Sequence, residues 1–420
     1  MVAICDKPPT AREDAMHDAP TPLVVIGAAA RAFTASAVRA GYRVYAADLF
    51  GDLDLQAAAA ATACVRDITG GYPKGLVAAV RSFPAAAFCY VGAMENHPAV
   101  IDAIARERQL LGSLPEAFAA VRNPWSLRRL ARDAGLESPE CRTDPHGLPR
   151  DGSFLAKPLA GAGGRGIAPW DAAARMPVDE SVWQRRIFGD AWSASYVVAA
   201  AGCRLVGASR QLIGLPWCYG RPFAYCGSID EPLDGVPIGI RRQFAAFEPA
   251  LAACGLRGVI GVDAIVDASA AVWVIEVNPR PCASMELIER ATGASIAATH
   301  LAACAGDATK PAASQATSLR WAKAVLYAPR ELAVDSAWLD RIAAWQRDWS
   351  AGTGQPAIAD IPAPLRTVPA GGPVCTLFAA AATPALAVDQ LRERAAAVLA
   401  PVSRPVGGAE PPAATRSNIP

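Results

Sequence analysis

Val259-Ile260-Gly261-Val262-Asp263-Ala264-Ile265-Val266-Asp267 and Ala271-Val272-Trp273-Val274-Ile275-Glu276-Val277-Asn278-Pro279-Arg280 decide how the rest of the chain is read. Both are Val/Ile-rich runs of strand length, and Ala268 to Ala270 between them suit a tight connection, so the pair reads as a β-hairpin. Alternate residues of a strand share a face, which puts Glu276 and Asn278 on one side. A hairpin symmetric about Ser269 and Ala270 sets Asp263 opposite Glu276 on that same side. A carboxylate in such a strand is costly to bury unless it is paired or metal-bound. Asp263, Glu276 and Asn278 are therefore candidate ligands for a hard cation, Mg²⁺ or Mn²⁺, bridging nucleotide phosphates. Arg280, just beyond, is placed to stabilise charge on a transferring phosphoryl group. The structural alternative for Glu276 is an ion pair with Arg280 or Arg257, and Asp267 reads as a solvated turn residue.

Upstream, Phe154-Leu155-Ala156-Lys157-Pro158 carries a lysine at the end of an apolar strand and runs into Leu159-Ala160-Gly161-Ala162-Gly163-Gly164-Arg165-Gly166. Gly161, Gly163, Gly164 and Gly166 let the backbone approach an anion closely and turn its N–H groups toward phosphate oxygens. Lys157 is the adjacent counter-charge. No Gly-Lys-Ser/Thr closes the loop into a helix, so this is not the Walker pattern. Taken alone, a glycine-rich surface turn beside a lysine would look the same.

The chain-wide properties favour small-molecule chemistry. At 420 residues the chain exceeds one ordinary core and implies roughly two to four domains. It is 52% hydrophobic and 19% charged with 7% aromatics, the composition of a soluble Ala-rich globular protein. A net charge of +1 gives no global field to attract nucleic acid or an anionic membrane. The 11 cysteines include no C-x-x-C pair, which argues against a zinc site and fits reduced thiols in the cytoplasm. The polar first twenty residues lack the apolar stretch of a signal peptide, and no run of 18 apolar residues offers a membrane span.

Along the chain, residues 1–20 read as a disordered leader and 21–121 as a Rossmann-like domain. Its strands are Leu23 to Gly27, Tyr42 to Asp48 and Phe88 to Gly92, with helices from Arg31 to Ala40 and Ala99 to Gln109. Gly27-Ala28-Ala29-Ala30 lacks the second and third glycines of a dinucleotide fingerprint, so Gly27 and Asp48 read as loop residues shaping a cleft. Glu95, Asn96 and His97 follow a strand, where open α/β sheets place ligands; helix capping by Asn96 ahead of Pro98 is the alternative. Residues 122–310 begin with a helix from Pro124 to Gly135 and continue as a run of strand-like segments up to Pro279. Pro311 to Ser318 reads as a linker, 311–400 as an α+β extension with strands Trp321 to Ala328 and Pro373 to Ala379, and 401–420 as a disordered tail.

Lys157, the glycine loop, Asp263 and the Glu276-to-Arg280 run together resemble the ATP-grasp superfamily, which includes biotin carboxylase, carbamoyl phosphate synthetase and many carboxylate-amine ligases. The match extends from Arg122 to Ala303. It implies a mixed α/β and α+β fold: a Rossmann-like domain, an ATP-grasp domain and a C-terminal α+β extension. It also implies an ATP- and Mg²⁺-dependent ligase that joins a small-molecule carboxylate to an amine or thiol through an acyl phosphate, releasing ADP and phosphate. Carried over by position, Lys157 contacts the α/β phosphates and the glycine loop covers the triphosphate. Gln184, Arg185, Arg186 and Ile187 match the hinge that meets adenine, with an exposed edge residue as the alternative for Gln184. Asp263, Glu276 and Asn278 match the metal ligands, and Arg280 the reaction-site arginine. Glu95, Asn96, Arg210, Gln211, Tyr225, Ser228 and Ser284 are candidate substrate contacts, each equally readable as a structural polar group. A homodimer is compatible with the resemblance.

The chain also departs from the family. Many members carry a lysine at the start of the helix before the grasp, where this sequence has Asn123-Pro124, so a usual phosphate contact is absent. The hinge is basic at Arg185 and Arg186 where an acid is common. A nucleotide-binding regulatory protein with a decayed site is the competing reading, and a dinucleotide oxidoreductase a weaker one. Within the superfamily, Met94 to Pro98, Pro222 to Ser228 and Arg280 to Glu286 resemble an ATP-grasp group associated with tetrahydromethanopterin biosynthesis and related to tyramine-glutamate ligase.

Overall fold

The computed structural model describes residues 20–306 and 318–403. The expected leader, linker and tail fall wholly or mostly outside these residues. The first unit is a four-stranded parallel sheet in the order Ala61–Cys64, Arg43–Asp48, Pro22–Ile26, Ala87–Tyr90. Leu23, Val24, Val25 and Ile26 are buried because helices cover both faces of a parallel sheet. Helices Leu53–Ala58 and Gly71–Ser82 and the strand Ala61–Cys64 complete the unit. That strand gives little signal in the sequence: it is a half-exposed edge of small residues, Ala-Thr-Ala-Cys, with no apolar alternation. The loops at the carboxyl ends of these strands, after Ile26, Asp48 and Tyr90, turn toward the rest of the chain.

The central region holds two antiparallel sheets. The smaller runs Cys141–Arg142, Ser181–Arg185, Asp151–Pro158, Ala168–Asp171. The larger has eight strands in the order Val272–Asn278, Gly258–Val266, Asp190–Ala199, Gly202–Ile213, Tyr225–Glu231, Arg320–Tyr327, Pro373–Ala381, Ile358–Ala359. Strands from beyond the expected linker thus extend the same sheet that carries the hairpin, through the antiparallel pairing of Gly227 with Ala324 and Ile229 with Ala322. The stretch before the hairpin is not wholly strand. Ile238–Ala246 and Glu248–Ala253 are helices, and Ile240, Phe244, Phe247 and Leu251, spaced three or four apart, bury one apolar stripe against the sheet.

A buried ionic knot fixes the three regions to one another. Arg31, at the start of the first helix, donates to Glu286 at 2.5 and 3.1 Å and to Asp360 at 2.9 and 3.2 Å. Glu286 also accepts from Lys323 at 3.3 Å, and Asp360 from the Thr376 hydroxyl at 2.5 Å. Removing one member of such a cluster strands an uncompensated buried charge. The knot's Glu286 lies six residues after Arg280 and anchors the chain that leaves the hairpin.

Candidate active site

The hairpin pairs Asp263 with Glu276 and Gly261 with Asn278, so these three polar side chains share one face. A bulge after Asp263 leaves Ile275 without an opposite residue and shifts the pairing to Ala264 with Val274. Asp263 accepts from the Asn278 amide at 3.0 Å and from the Gln211 amide at 2.9 Å. Burial and the neighbouring Glu276 push the Asp263 carboxyl up to about 6. Glu276 goes the other way. Burial alone would raise it, but Lys157 and Arg122 outweigh that and hold it at about 2. Lys157 Nζ lies 3.3 Å from Glu276 Oε2, and the Arg122 guanidinium grips Oε1. The ion-pair partners of Glu276 are therefore Lys157 and Arg122, not Arg280 or Arg257.

Opposite the hairpin, Lys157 sits at the end of the strand Asp151–Pro158 and also reaches the Ile275 carbonyl at 3.4 Å. The glycine loop follows. Gly164 has φ +76°, and a Cβ there would lie 1.8 Å from the Phe223 carbonyl oxygen, so glycine is required both by conformation and by close approach. The Tyr225 N–H donates to the Gly163 carbonyl at 3.2 Å, tying the loop to the strand Tyr225–Glu231. Between loop and hairpin lies a cleft open to solvent, lined among others by Arg122, Lys157, Gly161, Gly164, Gln184 and Glu276. Gln184 is buried rather than an exposed edge residue, and its amide donates to Cys141 Sγ at 3.6 Å. Arg185, Arg186 and Ile187 are not among the lining residues. The strand ends at Arg185, and Arg186 turns away to lie over the rings of Phe188 and Phe223 at 4.7 and 5.6 Å.

Just past the last strand of the hairpin, Arg280 is clasped by Glu95 through bonds of 2.9 and 2.7 Å. Glu95 is almost fully enclosed, and its carboxyl lies below the usual range because Arg280 more than offsets the cost of burial. Glu95 is thus spent on Arg280. Asn96 does not cap the next helix, whose capping position is His97. Its amide instead accepts from Arg122 at 3.2 Å and donates to the Gly161 carbonyl at 3.2 Å. Tyr225 and Ser228 share a hydroxyl–hydroxyl bond of 2.8 Å, and Ser284 meets Ser193 at 3.4 Å. Arg210 does not join them. It pairs across the sheet with Trp192 and Ile229, on the face opposite Asp263, and binds Glu231 at 2.5 Å. Gln211, one residue on, points to the site by strand alternation.

Arg122 is a cleft residue that sequence reading does not single out. It ends the helix Phe118–Arg122, one position ahead of Asn123, whose side chain caps the next helix by accepting from Trp125 and Ser126 N–H. The cation that is absent at Pro124 is thereby supplied from the preceding turn. The only hint in the sequence is that an arginine abuts the position where a lysine is looked for.

Residues 121–284 match the family model described as the ATP-grasp domain. The chain carries an ATP-grasp domain. Carboxyaminoimidazole ribonucleotide synthase from Aspergillus clavatus, solved with ATP, superimposes with a TM-score of 0.65 at 13% identity over 91% of this chain and 99% of its own. Biotin carboxylase from Campylobacter jejuni, solved as a β-γ-ATP complex, gives 0.63 at 14% identity over 88% of this chain and 89% of that one. The biotin carboxylase domain dimer of Hydrogenobacter thermophilus 2-oxoglutarate carboxylase, solved with MgADP and bicarbonate, gives 0.63 at 13% over 88% of each. No curated protein matches in sequence. At these identities the likeness is one of fold, and its coverage takes in the regions on both sides of the ATP-grasp domain.

The donor set of this ATP-grasp domain suits a divalent cation of the Mg²⁺ type. Among the described residues no group of three or more His, Cys, Asp or Glu is arranged to hold a metal. Two facing carboxylates and one amide are what the hairpin offers, and Mg²⁺ is usually held by one or two carboxylates with substrate phosphates and water completing its shell. Here Lys157 and Arg122 neutralise Glu276, and the Asn278 amide oxygen accepts from Arg280 at 3.2 Å. A polyphosphate in the cleft would offer both cations a new anion and release Glu276. No helix among the described residues is long and apolar enough to cross a membrane.

Proposed function

We propose that this protein is an ATP- and Mg²⁺-dependent ligase that activates a small-molecule carboxylate as an acyl phosphate and transfers the acyl group to an amine, releasing ADP and phosphate. The observation that carries the reading is the pairing of Asp263 with Glu276 on a hairpin whose Glu276, with Lys157, Arg122 and the glycine loop, lines one cleft. Lys157 and Arg122 face the phosphate chain; the loop amides cover it; Gln184 meets the base. Mg²⁺, held by Asp263, Glu276 and Asn278, would offset charge on the β and γ phosphates. Arg280, fixed by Glu95, would stabilise charge on the transferring phosphoryl group. Among the described residues Cys304 Sγ meets His300 Nε2 at 3.7 Å, but burial pushes this thiol up to about 12 and neither residue lines the cleft; Cys282, the thiol beside Arg280, is also pushed up to about 12 by burial and is a poor nucleophile.

Arg122 weighs against a decayed site, because it supplies the cation missing at Pro124. Of the three stretches behind the narrower resemblance, two are in direct contact, with Glu95 clasping Arg280, and Tyr225 of the third lies near Glu286. The pathway reading, tetrahydromethanopterin biosynthesis in the cytoplasm, rests on the resemblance of these stretches in sequence. The test is a panel of carboxylates, amino acids included, incubated with MgATP and hydroxylamine. Hydroxamate accompanied by ADP and phosphate is expected for one of them. AMP and pyrophosphate would identify adenylation and overturn the mechanism.

A further inference from the structure

The geometry points to Asn96 as a positioning residue that sets both the glycine loop and Arg122, so that the N-terminal sheet shapes the nucleotide half of the site. The inference rests on the nucleotide reading of the cleft. Asn96 lies in the turn after the strand Ala87–Tyr90, outside the matched ATP-grasp residues. Its side chain spans two parts of the cleft wall: Oδ1 accepts from Arg122 Nη2 and Nδ2 donates to the Gly161 carbonyl, each at 3.2 Å. Only this amide orientation satisfies both neighbours, since a guanidinium offers donors alone and a carbonyl accepts alone. The adjoining Glu95 holds Arg280, and the Tyr90 hydroxyl donates to the Pro279 carbonyl at 3.1 Å. One short segment of the first sheet thereby orients two arginines beside the Glu276-to-Arg280 stretch, and Asn96 alone of these residues touches the loop through its side chain.

The chemistry distinguishes a positioning role from general support. Asp in place of Asn keeps size and the acceptor toward Arg122 but sets a lone pair against the Gly161 carbonyl. Asn96→Asp therefore breaks the loop contact and spares the other, whereas Asn96→Ala breaks both. Hydrogen exchange of the full-length protein without ligand is measured over residues 159–167, with dissociation constants for Mg²⁺–adenylyl imidodiphosphate measured alongside. Asn96→Asp should speed exchange of the loop roughly two- to tenfold, the range of one neutral hydrogen bond, with exchange elsewhere unchanged. Nucleotide affinity should weaken by a similar factor, and Asn96→Ala should weaken it further. Loop exchange equal to wild type in both variants would overturn the inference. So would acceleration spread over the whole chain, which would mark a structural role. If wild type fails to bind the nucleotide analogue, the ATP reading falls, while the loop exchange of the unliganded protein still decides the role of Asn96.

Discussion

Replacing Arg122 with glutamine should move metal affinity and nucleotide affinity in opposite directions. In the ligand-free protein the Arg122 guanidinium grips one oxygen of Glu276, and Lys157 lies 3.3 Å from the other. A divalent ion arriving alone must displace these cations or sit beside them. A single positive charge about 5 Å from a divalent ion, in a cleft open to water with an effective dielectric of about 40 to 80, repels it by about 1.5–3 kcal/mol. Arg122→Gln removes that repulsion, so Mn²⁺ binding without nucleotide, followed by the loss of its free-ion paramagnetic resonance signal, should tighten about ten- to a hundredfold. The nucleotide complex responds differently, because there the guanidinium turns to phosphate. Loss of a charge-assisted contact of about 1.5–3 kcal/mol should weaken MgATP binding about ten- to a hundredfold, read by calorimetry. Two affinities that rise or fall together would refute the idea that Arg122 exchanges a carboxylate for a phosphate.

Three further outcomes follow from single contacts. Glu276→Gln keeps size and fold but removes a ligand charge, and should abolish carboxylate-dependent ADP release; retained turnover would remove Glu276 from the metal site. Gly164→Ala forces a Cβ to 1.8 Å from the Phe223 carbonyl at φ +76°, which costs at least about 1–2 kcal/mol for the left-handed backbone alone, so the loop should shift and MgATP affinity fall, with unaltered affinity as the contrary result. His300 joins two regions: its Nδ1 accepts from Val259 N–H and its Nε2 bonds the Leu111 carbonyl. Burial pushes its pKa down to about 4, below the usual value of about 6.5, so the unfolded chain binds the extra proton first. The stability held by neutral His300 is therefore complete above about 6.5 and is lost as pH falls through 4. His300→Gln should flatten the melting temperature between these pH values, and an unchanged slope there would assign the acid sensitivity to another group.

The sequence by itself determined the hairpin and, by strand alternation, the shared face of Glu276 and Asn278, whereas the bulge at Ile275 that brings Asp263 opposite Glu276 was visible only in the structure. It also gave the glycine loop with Lys157 and the parallel sheet at the start, since each rests on local periodicity or on residues a few positions apart. The helices from Ile238 to Ala253 carried a local signal as well, in the spacing of Phe244, Phe247 and Leu251, but the surrounding strand pattern obscured it. What only the tertiary structure decided was which charges meet. Arg122 reaches Glu276 across 154 positions, Glu95 reaches Arg280 across 185, and Arg31 reaches Glu286 across 255. Each is a polar residue whose partner is chosen by how sheets and helices dock, and no periodicity encodes that choice. Arg210 and Gln211 fall on opposite faces of one strand by alternation alone, and what docking decided was which of those faces meets Asp263. Sequence fixes which residue types a strand presents, and burial of charge then requires that folding bring their partners from elsewhere in the chain.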